Sequence, residues 1–182
     1  RIGRQGRYLG VNAGSEIFQP MPCLFDATRI VQDAVLIAAL PSLPGGVLAH
    51  GYQPPEEMLV ATSTHGTPIM SIDWRPALAV YAERVPQDYG IEVTWENFYA
   101  NGVHFPFGIL RASGEVLVRI PLILDDANGL VCLGEVPANA ILSVFRAERV
   151  DQQRTVDALV SGLEGYVLSF YCAGRRMHDR SR

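Results

Sequence analysis

Four side chains with usable chemistry sit at the ends of apolar runs: His50 before Gly51, Asp73 before Arg75 and Pro76, Cys172, and Arg175 after Gly174. A histidine there can carry a proton, ligate a metal or haem iron, or donate to a carboxylate. A cysteine becomes a nucleophile when its thiolate is stabilised and a base lies near. Cys172, with His50 or His104 as base and Asp73 as orienter, has the residue types for such a constellation. Arg175 could clamp a carboxylate through two parallel hydrogen bonds, and Asp73 could accept from a ligand amine or cap the helix that Pro76 opens. Each also has a plainer role. These are a ring satisfying backbone groups at a strand bend, an inert thiol after an apolar strand, a helix cap and a surface ion pair.

Other chemistries lack their residues. His65, His104 and His178 have no metal spacing with His50, and the three cysteines, Cys23, Cys132 and Cys172, form no C-x-x-C pair. An odd, scattered set favours a reducing compartment over a disulfide framework. All 15 basic residues are Arg and none is Lys, so no P-loop can form. Asp125 and Asp126 beside Asn128-Gly129 fall short of a calcium loop and read as a hairpin tip. A net charge of -4 argues against a nucleic-acid surface. The longest apolar run, Ala34 to Leu40, is far below the roughly 20 residues of a membrane span. No charged-then-apolar leader opens the chain, and the terminal residues Arg1 and Arg182 are expected to be cuts in a longer protein.

The elements that must position these groups follow from periodicity. Cys23 to Phe25 and Ile30-Val31 flank a polar turn and predict a hairpin, with Ala34 to Leu40 as a buried strand after it. Met58 to Thr64 and Ile69 to Ile72 are extended segments on either side of a His65 to Pro68 turn. Leu78, Tyr81, Ala82 and Val85 fall at helical spacing between Pro76 and Pro86. Glu115 to Leu124, Leu130 to Leu133 and Ile141 to Phe145 predict three more strands. Arg149 to Leu163 predicts a helix and Tyr166 to Tyr171 a final apolar strand, with Cys172 and Arg175 at its exit. The sum is α+β: a mostly antiparallel or mixed β-sheet sandwich with a few packed helices.

Four motifs recur in a fixed order: His50-Gly51-Tyr52-Gln53-Pro54, Ile72 to Tyr81, Phe105-Pro106-Phe107-Gly108-Ile109, and Cys172-Ala173-Gly174-Arg175. With the segments between them, the chain resembles the FIST family, an intracellular sensory module of bacteria and eukaryotes. Trp74 departs from the small residue the family's Asp-x-x-Pro-Ala motif leads one to expect. The resemblance implies that residues 1–70 are the end of a FIST N-terminal domain and residues 71–182 a truncated FIST C-terminal domain. It further implies a cytoplasmic, non-enzymatic sensor of amino acids or similar small metabolites. Histidine kinases, chemotaxis receptors, cyclic-dinucleotide enzymes or F-box modules are its signalling partners, without nucleic acid or membrane. Arg175, Asp73, His50 and Cys172 are then expected to border the ligand cleft. A haem-based nitric oxide sensor and a Cys172-dependent hydrolase or transferase are the alternatives.

Overall fold

The structure is a computed structural model, and it describes residues 9–15, 19–39, 47–52, 57–85, 92–94, 97–145, 152–161, 165, 167–174 and 176. The expected hairpin is present: β1 (Leu24–Phe25) and β2 (Ile30–Val31) pair antiparallel. Asp26 ties the turn between them by accepting the Thr28 and Arg29 amides at 2.8 and 3.1 Å. The buried strand expected after it does not form, because residues 34–39 are exposed and unpaired. An apolar run becomes a buried strand only where layers cover both its faces, and no described element covers this one.

The main sheet is built from β3 (Leu59–Thr64), β4 (Pro68–Ile72), β6 (Phe107–Leu110), β7 (Val116–Arg119), β8 (Pro121–Leu124), β9 (Leu130–Cys132) and β10 (Ile141–Val144). The short β5 (Arg75–Pro76) folds back on β4. Every strand pair is antiparallel, in the order β7-β6-β10-β3-β4-β9-β8. The class is therefore α+β, with an antiparallel rather than mixed sheet. The sequence-based division at residues 70 and 71 falls inside β4, and β3 pairs with β10.

The two outermost strands of that order, β7 and β8, are consecutive in the chain, with only Ile120 between them. The sheet's first and last edges are thus one strand, bent at Ile120–Pro121, and the sandwich is closed into a ring. Pro121 suits the bend because the first residue of a strand needs no ladder amide, and a register shift follows it in the β8–β9 pair. Leu133 donates its amide to the Ile120 carbonyl at 2.8 Å, and Arg119 Nε donates to the Glu135 carbonyl at 2.9 Å. The loop after β9 is thereby fastened to the bend. The interior is filled by Ala61, Ile69, Ile72, Phe107, Ile109, Leu130 and Leu142. Each large apolar side chain so buried contributes on the order of 2 kcal/mol.

Two helices close the core. In α1 (Ala77–Arg84), Ala77, Val80 and Tyr81 are buried on one face, the i, i+3, i+4 set of an amphipathic helix. It ends at Val85, whose backbone is extended as a residue before proline requires. Tyr81 is fully buried, packs its ring 5.3 Å from Phe107 and 5.6 Å from Phe98, and donates to the Phe105 carbonyl at 2.9 Å. The short α2 (Phe98–Gly102), which the sequence patterning missed, brings Gly102 against the Pro121 carbonyl at the bend. α3 (Gln152–Val160) matches the helix expected there. Among the described residues the final apolar strand does not form: residues 167–171 are exposed and lie outside the sheet.

A Cβ at position 102 would lie 2.2 Å from the Pro121 oxygen, and a backbone carbonyl in a closed ring cannot swing aside. Gly102→Ala should lower unfolding stability by about 1–3 kcal/mol, the usual penalty for overpacking. Urea denaturation measures it, and a change within about 0.5 kcal/mol, ordinary for a surface substitution, would contradict the closed bend.

Candidate functional site

His50 sits in an aromatic cluster on the outer surface of the ring. Its ring centre is 6.0 Å from that of Tyr52 and 5.6 Å from that of Phe145. The Gly-Tyr that follows His50 lets the chain double back: Gly51 has φ 69, and the Tyr52 amide donates to His50 Nδ1 at 3.2 Å. Tyr52 is anchored further by its hydroxyl, which donates to the Val103 carbonyl at 2.9 Å. Alternation along β10 points Leu142 and Val144 into the core and Phe145 outward. The Phe145 ring lies over Gly108 of β6, where a Cβ would come within 2.1 Å of it. Val116 and Val118 of β7 pack against the Tyr52–Phe145 pair.

The Cys-Ala-Gly-Arg motif reaches the same row. Val116, Val118 and Ile120 alternate onto one face, and the Cδ1 of Ile120 lies 2.6 Å from where a Gly174 Cβ would stand. Gly174 is buried whereas residues 167–172 are exposed. Ala173, Gly174 and Arg176 are helical, and the Arg176 amide donates to the Cys172 carbonyl at 3.1 Å. From Val118 to Ile120 is about 7 Å along a strand, so the His50 cluster lies against β7 and the Cys172 turn against the residue that follows it. Arg175 lies outside the described residues.

Asp73 is not brought to this place. It lies beside Val60, which pairs with Ile141 at the start of β10, whereas His50 lies beside Phe145 just past its end. Four residues of strand separate the two by about 13 Å. Asp73 does not cap α1 either: the cap position is Pro76, which has no side-chain acceptor, and Asp73 Oδ1 accepts from Val60 instead. Asp73 and Trp74 instead form a two-residue turn between β4 and β5, with φ 48 and 60 and Ile72 paired to Arg75. That is the left-handed pair of a type I′ hairpin, which favours Asn or Asp followed by glycine. Three hydrogen bonds hold it. Asp73 Oδ1 accepts the Val60 amide at 2.9 Å, the Asp73 amide donates to the Val60 carbonyl at 2.9 Å, and the Trp74 amide donates to Thr62 Oγ1 at 3.0 Å. The indole of Trp74 is 85% exposed, so it belongs neither to the core nor to a pocket wall.

The thiols differ in environment. Cys132 is buried in the core cluster, and burial pushes its pKa up to about 12, which keeps it a thiol at neutral pH. Cys172 is exposed and Cys23 half-buried. Among the described residues, no three of His, Cys, Asp and Glu gather to hold a metal ion, and no helix is long and apolar enough to cross a membrane. Haem ligation through His50 Nε2 would need the proton on Nδ1. Here Nδ1 already accepts the Tyr52 amide at 3.2 Å, and that bond would have to break for this tautomer to form. A cleft of about 290 Å³ beside β1 and β2, lined by Leu24, Phe25, Val31, Val35, Asp26 and Arg29 among others, contains none of the four expected site residues.

The FIST C domain model matches residues 77–182, more than half of the chain. The chain belongs to the FIST C domain family. That family is a sensory domain of signalling proteins. No curated protein and no solved structure matches the chain. The match begins at the first residue of α1 and takes in β6 to β10, α3 and the Cys172 turn. His50, Tyr52 and Asp73 precede the FIST C match.

Sequence reasoning missed Tyr52 and Phe145 as companions of His50. The available signal was Gly108, a glycine within the strand segment Phe107 to Leu110, which marks close approach of another group. It also missed the Asp73–Trp74 turn. Trp74→Gly removes the left-handed strain, about 1–2 kcal/mol, and adds the chain entropy of glycine, about 0.5–1 kcal/mol. Thermal and urea unfolding should show a net gain of roughly 0.5–1 kcal/mol; a loss would mean that the indole holds the fold.

Proposed function

We propose that this chain is the sensory part of a cytoplasmic signalling protein that binds a small polar metabolite, an amino acid or a close analogue, without transforming it. The ligand site is the stretch from Val116 to Ile120, with His50 and Tyr52 towards one end and the Cys172 turn at the other, and Arg175, the residue after Gly174 in sequence, is the proposed carboxylate ligand. One observation carries the reading. Two motifs more than a hundred residues apart in sequence border a single outer row, while the ring interior is filled by side chains. A ligand therefore meets this protein at its surface row, where an arginine can take a carboxylate by two charge-assisted hydrogen bonds. Asp73 acts in this reading by fixing the β4–β5 turn and not by touching the ligand.

Binding biases the chain toward one arrangement of the Cys172 turn, and a partner reads the shift in population. The partner is a histidine kinase, chemotaxis receptor or cyclic-dinucleotide enzyme, on the strength of the family alone. Residues 1–70 close the N-terminal FIST domain and residues 71–182 form the C-terminal one, so that β3 and β10 pair across the boundary.

A panel of L-amino acids in titration calorimetry, with thermal unfolding alongside, tests this. Saturation at a hundredfold over Kd should stabilise the fold by about 2.7 kcal/mol. Arg175→Ala should weaken binding by roughly ten- to hundredfold, the value of a hydrogen bond to a charged group, with an unchanged melting temperature. Unaltered binding with a large loss of stability would overturn the Arg175 assignment.

A further inference from the structure

Asn-Gly, the dipeptide most prone to spontaneous rearrangement, occurs twice, at Asn101-Gly102 and Asn128-Gly129. The amide nitrogen of the glycine attacks the Asn side-chain carbon Cγ, a five-membered succinimide closes, and ammonia leaves. Water then opens the ring at either carbonyl to give aspartate or isoaspartate. Glycine makes the attack easy because it has no Cβ to crowd the nitrogen. The two sites differ in their surroundings. Asn101 is half-buried in α2, its Nδ2 donates to the Asn97 carbonyl at 3.0 Å, and Gly102 is buried against the Pro121 carbonyl. Asn128 is exposed at the tip of the β8–β9 hairpin, so burial does not shield it.

Asp125 takes the place of burial. Its Oδ1 accepts the Gly129 amide at 2.7 Å and the Ala127 amide at 2.9 Å. The main chain ties the same turn, with the Asp125 amide donating to the Gly129 carbonyl at 3.0 Å and the Asn128 amide to the Asp125 carbonyl at 2.9 Å. Asn128 has φ 61, and in left-handed backbone the next nitrogen is directed away from the side chain. The peptide between 128 and 129 must therefore rotate before its nitrogen can reach Cγ, and rotation breaks the Gly129–Asp125 bond. We propose that Asn128 is a site of spontaneous deamidation governed by Asp125: the carboxylate holds the attacking Gly129 amide, and conversion proceeds only when that bond opens. Conversion adds a negative charge beside Asp125 and Asp126, and isoaspartate inserts a methylene into the main chain of the turn that joins β8 to β9. The proposal stands on this turn alone and does not depend on the ligand reading.

Peptide mapping by mass spectrometry, on the whole chain incubated in mildly alkaline buffer, reads both Asn-Gly sites at once. Asp125→Ala removes the acceptor and should speed conversion at Asn128 by roughly ten- to hundredfold, the value of a hydrogen bond to a charged group. Asn101, in the same molecule, should keep its rate and serves as the internal reference. Asp125→Asn keeps an oxygen acceptor without the charge, so its rate at Asn128 should fall between those of the parent and Asp125→Ala. Slower conversion at Asn128 in Asp125→Ala would overturn the proposal, because the carboxylate would then be the base that draws the proton from Gly129. An unchanged rate would overturn it too, and so would an equal rise at Asn101 in the folded variant, since the hold acts on one bond. Where Asp125→Ala does not fold, Asp125→Asn decides, and a rate equal to or below the parent's contradicts the hold.

Discussion

One covalent constraint organises this protein: a single residue, Ile120, separates the strand that ends one edge of the sheet from the strand that ends the other. The chain cannot satisfy both pairings with a flat sheet, so the sheet must wrap. Wrapping assigns every side chain by alternation to a packed interior or to an outer surface. Phe107, Ile109, Leu142 and Val144 go inward, whereas Phe145, Val116 and Val118 are left for a second, smaller cluster outside. The glycines at the crowded points are consequences of the same constraint. Gly102 lies on the Pro121 carbonyl, Gly108 lies under the Phe145 ring, and Gly174 lies on Ile120. Each marks a place where another element comes within van der Waals distance of a backbone that closure has fixed.

A filled ring limits what the protein can do with a small molecule. Core residues occupy the interior, and the core thiol, Cys132, is held protonated by burial. Two motifs lie outside that core, one beside Tyr52 and Phe145 and the other against Ile120. One supplies an imidazole oriented by a backbone amide, and the other a turn that carries Cys172. Such a surface suits recognition by a few oriented polar groups beside apolar side chains. This agrees with a sensory family, since a regulator needs a site whose occupation changes an arrangement of the chain.

Much of the architecture was legible in the sequence because its cause is local. Pro76 and Pro86 bracket α1, Asn128-Gly129 makes the β8–β9 turn, and alternation announces β7 and β10. Three expectations failed for a common reason. Residues 34–39 and 167–171 are apolar runs with strand composition that lie outside the described sheet, and composition cannot say which runs will pair. Glu115 to Leu124 reads as one strand in sequence, and only pairing reveals that it serves two edges. The candidate site was legible as residues and not as a place. His50 packs on Tyr52 and Phe145, these rest on Val116 and Val118, and Gly174 rests on Ile120; none of these apolar residues carries a chemical signature. Asp73, the sharpest motif match, builds a strained turn about 13 Å away along β10.

The claim on which the rest stands is that these two motifs share the outer row of β7. A nitroxide on Cys172, in a protein whose Cys23 is replaced by Ser and whose buried Cys132 is left in place, measures this through paramagnetic broadening of NMR signals. The account predicts strong broadening of the Ile120 and Val118 methyls and of the His50 ring, with the Trp74 indole untouched. Sharp His50 and Val118 signals beside a broadened Trp74 would contradict it.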